Sequence, residues 1–397
     1  MNMWMPHWLH PAGAAVLVAI ASARGALTFN LIPEPGTPAA ALAGFQAAAD
    51  LWSDVLADEI VINVRVGYAP LGAGVIAETH SEFVERSYTV VRDALAGRRT
   101  SVDDQTAWAA LPTGIAYSRL VNHTSDNPYG PNSGTPYPDT MDRVGLTTAN
   151  AKVLGLLAGS EALDATIRFS SDFPYDFTHG PTIGPGLMDF VGAAAHELGH
   201  ALGFISGVDD IDQLGGRYPS GDFSSNLVDL FRYSTLSLAA GPGVTDYTAD
   251  SRDKFFSVDG GATVVALFST GITWGDGRQA SHWKDGLGIG LMDPTLSFGE
   301  RAELTATDLR LFDVLGYTLL PEPTAGALLL VGLGVLLTLS GHRPPGDRPA
   351  GGPAAAGLSS RTLQRATARG ATRCPARSGQ GAHLGGDGVG VNAEAGQ

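Results

Sequence analysis

The segment Asp189 to Leu202, DFVGAAAHELGHAL, constrains this chain more than any other. Its alanines and leucines favour a helix. Asp189 suits the start of that helix, and Gly203 its end. On a helix, His196 and His200 lie one turn apart on one face. Two imidazoles so spaced can hold one zinc ion, with Glu197 beside them to take a proton from water that the metal activates. Val191, Ala195, Leu198 and Leu202 form a stripe expected to be buried, which leaves the histidine pair on an adjacent face. Gly199 and Gly203 leave room for neighbouring backbone.

Zinc takes a third protein ligand and keeps one position for water. A compact HExxHxxGxxH site would draw that ligand from position 206, which is Ser206. No Glu occurs between Glu197 and Glu300, and the one histidine between His200 and residue 320 is His282, in Ala280-Ser281-His282-Trp283. His282 is therefore the expected third ligand, with His179 and Asp209 as alternatives. Asp209, Asp210 and Asp212 lack the spacing of a calcium-binding loop and read as a solvated acidic loop.

The one cysteine, Cys374, lies near the C-terminus, so the body has neither a disulfide nor a thiolate ligand or nucleophile. There is no GxSxG elbow and no GxxxxGK loop. The formal net charge is −15; residues from 341 onward carry seven Arg and three acidic residues, so the remainder carries −19. An acidic body argues against nucleic acid as a partner.

The two ends have compositions of their own. Ala12 to Leu27 is apolar and small, and Ala21-Ser22-Ala23 has the small-x-small pattern of a cleavage site, so residues 1–23 read as a signal peptide. Thr324 to Gly341 is an uncharged, mostly apolar stretch followed by His342 and Arg343, and 321–343 reads as a membrane segment. Residues 344–397 are low in complexity and rich in Gly, Ala, Pro and Arg, too poor in apolar surface to fold.

Between these ends, periodicity predicts the elements. Leu42, Phe45, Ala49, Trp52 and Leu56 predict one amphipathic helix; Val84, Tyr88, Val91 and Leu95 predict another. Ile60 to Val66, Ala165 to Ser170, Leu227 to Tyr233 and Thr263 to Phe268 read as strands, and Asn122 to Thr140 as a long loop. A last helix is expected from about Ala306 to Leu315, with Thr305 and Asp308 at its start and Gly316 at its end. If the strand carrying Ile167 and Phe169 forms the edge of its sheet, an extended peptide could pair with it.

HELGHALGF, the distant SHW and Gly290-Leu291-Met292-Asp293-Pro294 resemble the zinc metallopeptidases of the metzincin type. More narrowly they resemble the leishmanolysin-like arrangement, in which the third His lies far downstream. The resemblance implies a methionine turn beneath the metal, at Met292. DFVGAAAHELGHALGFISGVDD, GRQASHWKD and LTATDLRLFDVLGY are similar to bacterial PEP-CTERM metalloproteases. Pro321-Glu322-Pro323, with the apolar span behind it, adds to that likeness. It implies export to the cell envelope or beyond, transient anchoring through the C-terminal segment, and recognition by an exosortase-type sorting enzyme.

The fold so implied is α+β and zincin-like. A twisted sheet and the active-site helix would occupy residues 24–203, the early part of which could be a propeptide, and a loop-rich subdomain residues 204–320. The function implied is zinc-dependent hydrolysis of peptide bonds in a peptide or protein substrate, with Glu197 as general base. Tyr233 and Tyr317 are candidates for stabilising the oxyanion beside zinc. Two alternatives stand beside this reading: a surface or matrix protein with a non-catalytic zinc site, and a latent zymogen.

Overall fold

The computed structural model describes residues 27–159, 161–321 and the backbone of 382–386. The expected signal peptide, and the expected membrane segment apart from Pro321, lie outside the described residues. Among the described residues, no helix is long and apolar enough to cross a membrane.

The architecture is mixed α+β, built on one six-stranded sheet in the order β1-β2-β8-β3-β16-β15. Strand β1 (Thr28–Pro33) runs parallel to β2 (Val61–Ala69), and β2 parallel to β8 (Ala165–Ser170), with Val64 opposite Ala165. The buried side chains Ile62, Val64 and Val66 on β2, and Ala165, Ile167 and Phe169 on β8, make this the apolar centre. Strand β3 (Val75–Ser81) reverses direction and pairs antiparallel with β8, Thr79 opposite Ile167. Beyond β3 come β16 (Ala382–Gly386), parallel to it, and β15 (Thr295–Leu296), antiparallel to β16.

Helix α1 (Ala39–Ser53) is alanine-rich, as a strong helix former should be, and buries Phe45, Ala48, Ala49 and Trp52. It packs against α5 (Phe190–Ala201), the helix of the two histidines. The contact is close because of Gly44, where a Cβ would lie 2.4 Å from the Phe190 ring. The Trp52 indole donates to the Ala195 carbonyl at 2.8 Å.

Shorter elements flank this core. Strand β4 (Phe83–Ser87) pairs antiparallel with β7 (Arg143–Thr147), between helices α2 (Tyr88–Gly97), α3 (Val102–Ala110) and α4 (Thr148–Val153). Strands β5 (Tyr117–Val121) and β6 (Tyr137–Met141) form a hairpin that β12 (Thr245–Asp246) extends. The two-residue strands β9 (Tyr175–Asp176) and β10 (Met188–Asp189) lead into α5. After α5 come α6 (Val208–Leu214), α7 (Thr235–Ala240) and a small sheet of β11 (Arg232–Tyr233), β13 (Lys254–Phe256) and β14 (Ala266–Phe268). The chain then reaches β15 and α8 (Ala306–Val314), which Thr305 and Asp308 cap reciprocally.

Several expectations are corrected. The strand of Ile167 and Phe169 is interior, paired on both sides, and both side chains are fully buried. β3 is interior as well, paired with β8 and β16, and the edges of the sheet are β1 and β15, so Ile167 and Phe169 cannot meet a substrate strand. Val84 belongs to β4, and the helix begins only at Tyr88, where the chain turns off the β4–β7 pair. Leu227–Phe231 forms a 3-10 turn, capped by Asn226 and Asp229, before the short β11. Residues 382–386 form a strand within a tail expected not to fold. Its pairing with β3 on one side and β15 on the other runs through backbone groups, which needs no apolar side chains.

Candidate metal centre

Helix α5 is buried on every side, and not only along the expected stripe. Its N-terminus is closed by Asp189, whose carboxylate accepts from the Gly192 and Ala302 amides and from the His179 ring. At its other end Gly203, at φ +119°, lets the chain reverse. The reversal sets the Phe204 carbonyl 2.8 Å from Nδ1 of His200.

His282 arrives from the far side of the site. Asp209, on α6, accepts from the Ala280 amide at 2.6 Å and from the amide and hydroxyl of Ser281 at 3.1 and 2.5 Å. The Ser269 amide donates to the His282 carbonyl, and the Trp283 amide to the Met292 carbonyl. The segment that carries the third histidine is thus fixed on both sides of it.

The three rings meet through their Nε2 atoms, 3.0, 3.2 and 3.2 Å apart. Each Nδ1 faces a carbonyl: Leu291 for His196, Phe204 for His200 and Gln279 for His282. A carbonyl can only accept, so each Nδ1 carries the proton and each Nε2 presents a lone pair. Three lone pairs converging in a buried space repel one another until a cation stands between them. Zinc at about 2.0–2.1 Å from each nitrogen, in tetrahedral geometry, would set them about 3.3 Å apart, close to the spacing found. Among the described residues these three form the group that could hold a metal ion.

Burial also keeps the imidazoles neutral, because a buried imidazolium has no water to solvate it. His200 is pushed down to about 4. His196 and His282 lie well below the usual histidine range, first through burial and then through their imidazole neighbours. Neutral imidazole is the form a metal binds.

Glu197 is buried beside the triad. Its Oε2 accepts from the Thr79 hydroxyl of β3 at 2.6 Å. Met292 is fully buried, with its sulfur against α5 at Gly199, where a Cβ would lie 2.5 Å from Sδ. The turn that holds it is pinned by Asp308. That carboxylate accepts from the Leu291 and Met292 amides, from the Trp283 indole, and from the amide and hydroxyl of Thr305. Gly290 is required here, since any Cβ would lie 2.3 Å from the Asp308 carboxylate.

The structure thus brings together His196, His200, His282, Glu197 and Met292. The alternative ligands are engaged elsewhere, His179 with Asp189 and Asp209 with Ala280 and Ser281. Asp209 and Asp212 are buried rather than solvated, because they accept backbone amides of residues 273–281. Tyr233 and Tyr317 are buried, with hydroxyls donating to the Leu230 and Leu202 carbonyls. Sequence reasoning did not find Thr79 or the second role of Asp308. Thr79 sits in no motif, whereas Asp308 was visible as a helix cap. Comparison with family models, curated proteins and solved structures gave no match.

Proposed function

We propose that this chain is a zinc-dependent endopeptidase with a zincin-like fold of the metzincin type. The observation that carries the reading is the convergence of three neutral, carbonyl-oriented imidazoles beside one buried carboxylate. A purely structural metal site has no use for Glu197. Three imidazoles at this spacing favour zinc over harder cations, which select oxygen ligands.

His196, His200 and His282 would hold a zinc ion, which would acidify a water ligand to a pKa of about 7 and polarise a carbonyl. Glu197 takes the proton as water attacks the peptide carbonyl, then returns it to the leaving amine. An extended peptide could take the place of β16 beside β3, since backbone pairing with a strand gives affinity without demanding one sequence. In the same reading the protein is exported, is anchored transiently through 321–343, and meets an exosortase-type sorting enzyme.

A latent form of the enzyme is the second reading, favoured by one observation: β16 lies between β3 and β15 and pairs with both. The test is mass spectrometry of a mixed peptide library incubated with zinc-loaded full chain, with its Glu197→Ala variant, and with a chain ending at residue 321. Cleavage by the full chain and not by the variant supports the peptidase. Cleavage by the shortened chain alone supports latency. If all three proteins are folded, hold zinc and leave the library intact, a non-catalytic metal site becomes the better account.

A further inference from the structure

Thr79 lies on β3, between β8 and β16 in the sheet, and is fully buried. Its hydroxyl oxygen is 2.6 Å from Oε2 of Glu197 and 3.2 Å from the Glu197 main-chain carbonyl. A hydroxyl has one proton to give. The shorter distance falls in the range of O–H···O⁻ bonds, about 2.5–2.7 Å, so the carboxylate receives it. The contact joins two elements remote in sequence, β3 and α5. Both elements are held by further contacts: β3 by its pairing with β8, and α5 by Trp52 and by the Asp189 cap.

We infer that Thr79 is a positioning residue for Glu197, holding its carboxylate in the rotamer from which it serves as general base. The inference rests on the peptidase reading and adds a residue to it. A glutamate side chain has three torsions, and a helix restricts chiefly the first of them. Fixing Oε2 to β3 restricts the plane of the carboxylate, and with it the direction in which Oε1 points. The base is thereby registered to the strand against which a substrate would lie. A shift of the strand and a shift of the base then occur together, which keeps the distance between base and scissile carbonyl constant.

A merely structural role, in which a buried hydroxyl needs an acceptor, predicts something different. The test compares Thr79→Val, which keeps the β-branched shape, with Thr79→Ser, which keeps the hydroxyl. In the zinc-loaded full chain, Thr79→Val should retain one zinc per chain and a KM within about twofold of wild type. Its kcat should fall about ten- to a hundredfold, the scale expected when a reacting group is misplaced. Thr79→Ser should recover most of that loss. In the metal-free protein, the Tm shifts of Thr79→Val and Glu197→Ala should be non-additive, because both remove the same bond.

A Thr79→Val variant with wild-type kcat, beside an active wild type, overturns the positioning role and leaves the peptidase reading standing. Additive Tm shifts overturn the contact itself, whatever the activity. If neither the full chain nor the chain ending at residue 321 cleaves the library, the peptidase reading falls and this inference with it.

Discussion

Asp308 shows how much of the centre depends on a residue that touches none of the three imidazoles. Its buried carboxylate gathers the Leu291 and Met292 amides and the Trp283 indole, and Leu291 in turn orients His196. Asp308→Ala would strand these donors in the interior. At about 1–3 kcal/mol for each unsatisfied group, the loss should be about 3 kcal/mol or more, read by urea unfolding. Loosening the partner of His196 should also weaken zinc binding about ten- to a hundredfold, read by chelator competition. Unchanged zinc affinity would show that the turn does not orient the ligand. His196, Glu197 and His200 are legible because helical spacing alone sets them on one face. His282 is legible by elimination, since few candidates follow His200. Thr79 and Asp308 are not, because their partners lie 118 and 16–25 residues away and short polar side chains carry no periodicity.

Elements are legible where one face is buried and one exposed, and less so where a strand is buried throughout. Helices α5 and α8 follow from spacing and caps within a residue or two, and α1 from spacing within three. That β8 is a strand is legible as well. Its place inside the sheet depends on β3, whose residues VIAETHS offer no apolar alternation to mark them as a strand. Elements are also tied by a buried ion pair that no motif announces. Lys152 of α4 donates to Asp164, just before β8, at 2.5 Å and to the Val61 carbonyl of β2 at 3.1 Å. Asp164 also accepts from the Asn63 amide and the Thr148 hydroxyl. The two side chains are 3% and 1% exposed. Lys152→Met removes one charge and leaves the other buried, which should cost about 3–5 kcal/mol in chemical unfolding. Zinc stoichiometry should stay at one per chain, because no metal ligand touches this pair. A loss of under about 1 kcal/mol would mean that water reaches Asp164.

At the scale of the whole molecule, the burial of the metal centre sets how zinc and protons compete. His200 is lowered to about 4, and His196 and His282 lie well below their ordinary range, in each case chiefly by burial. For a histidine with a depressed folded pKa, the unfolded chain takes up the proton first. The stability contributed by the neutral triad is therefore complete above about pH 6.5, and is lost as pH falls from there through about 4. Buried carboxylates work in the opposite direction within the same window, since Asp209 and Asp313 are raised to about 7 by burial. The absolute Tm thus mixes two opposed effects. The difference between zinc-loaded and zinc-free protein separates them, because the carboxylates contribute to both forms. That difference depends on the affinity of the folded state for zinc, and zinc competes with protons only where the folded imidazoles can be protonated. The Tm increment from a fixed excess of zinc should hold nearly constant from pH 7 to about 5, then decline toward pH 4. Scanning calorimetry with and without zinc across that range measures it. An increment that halves near pH 6.5 would mean imidazoles titrating as they do in water, and a centre open to solvent rather than enclosed between α5, the Met292 turn and the His282 segment.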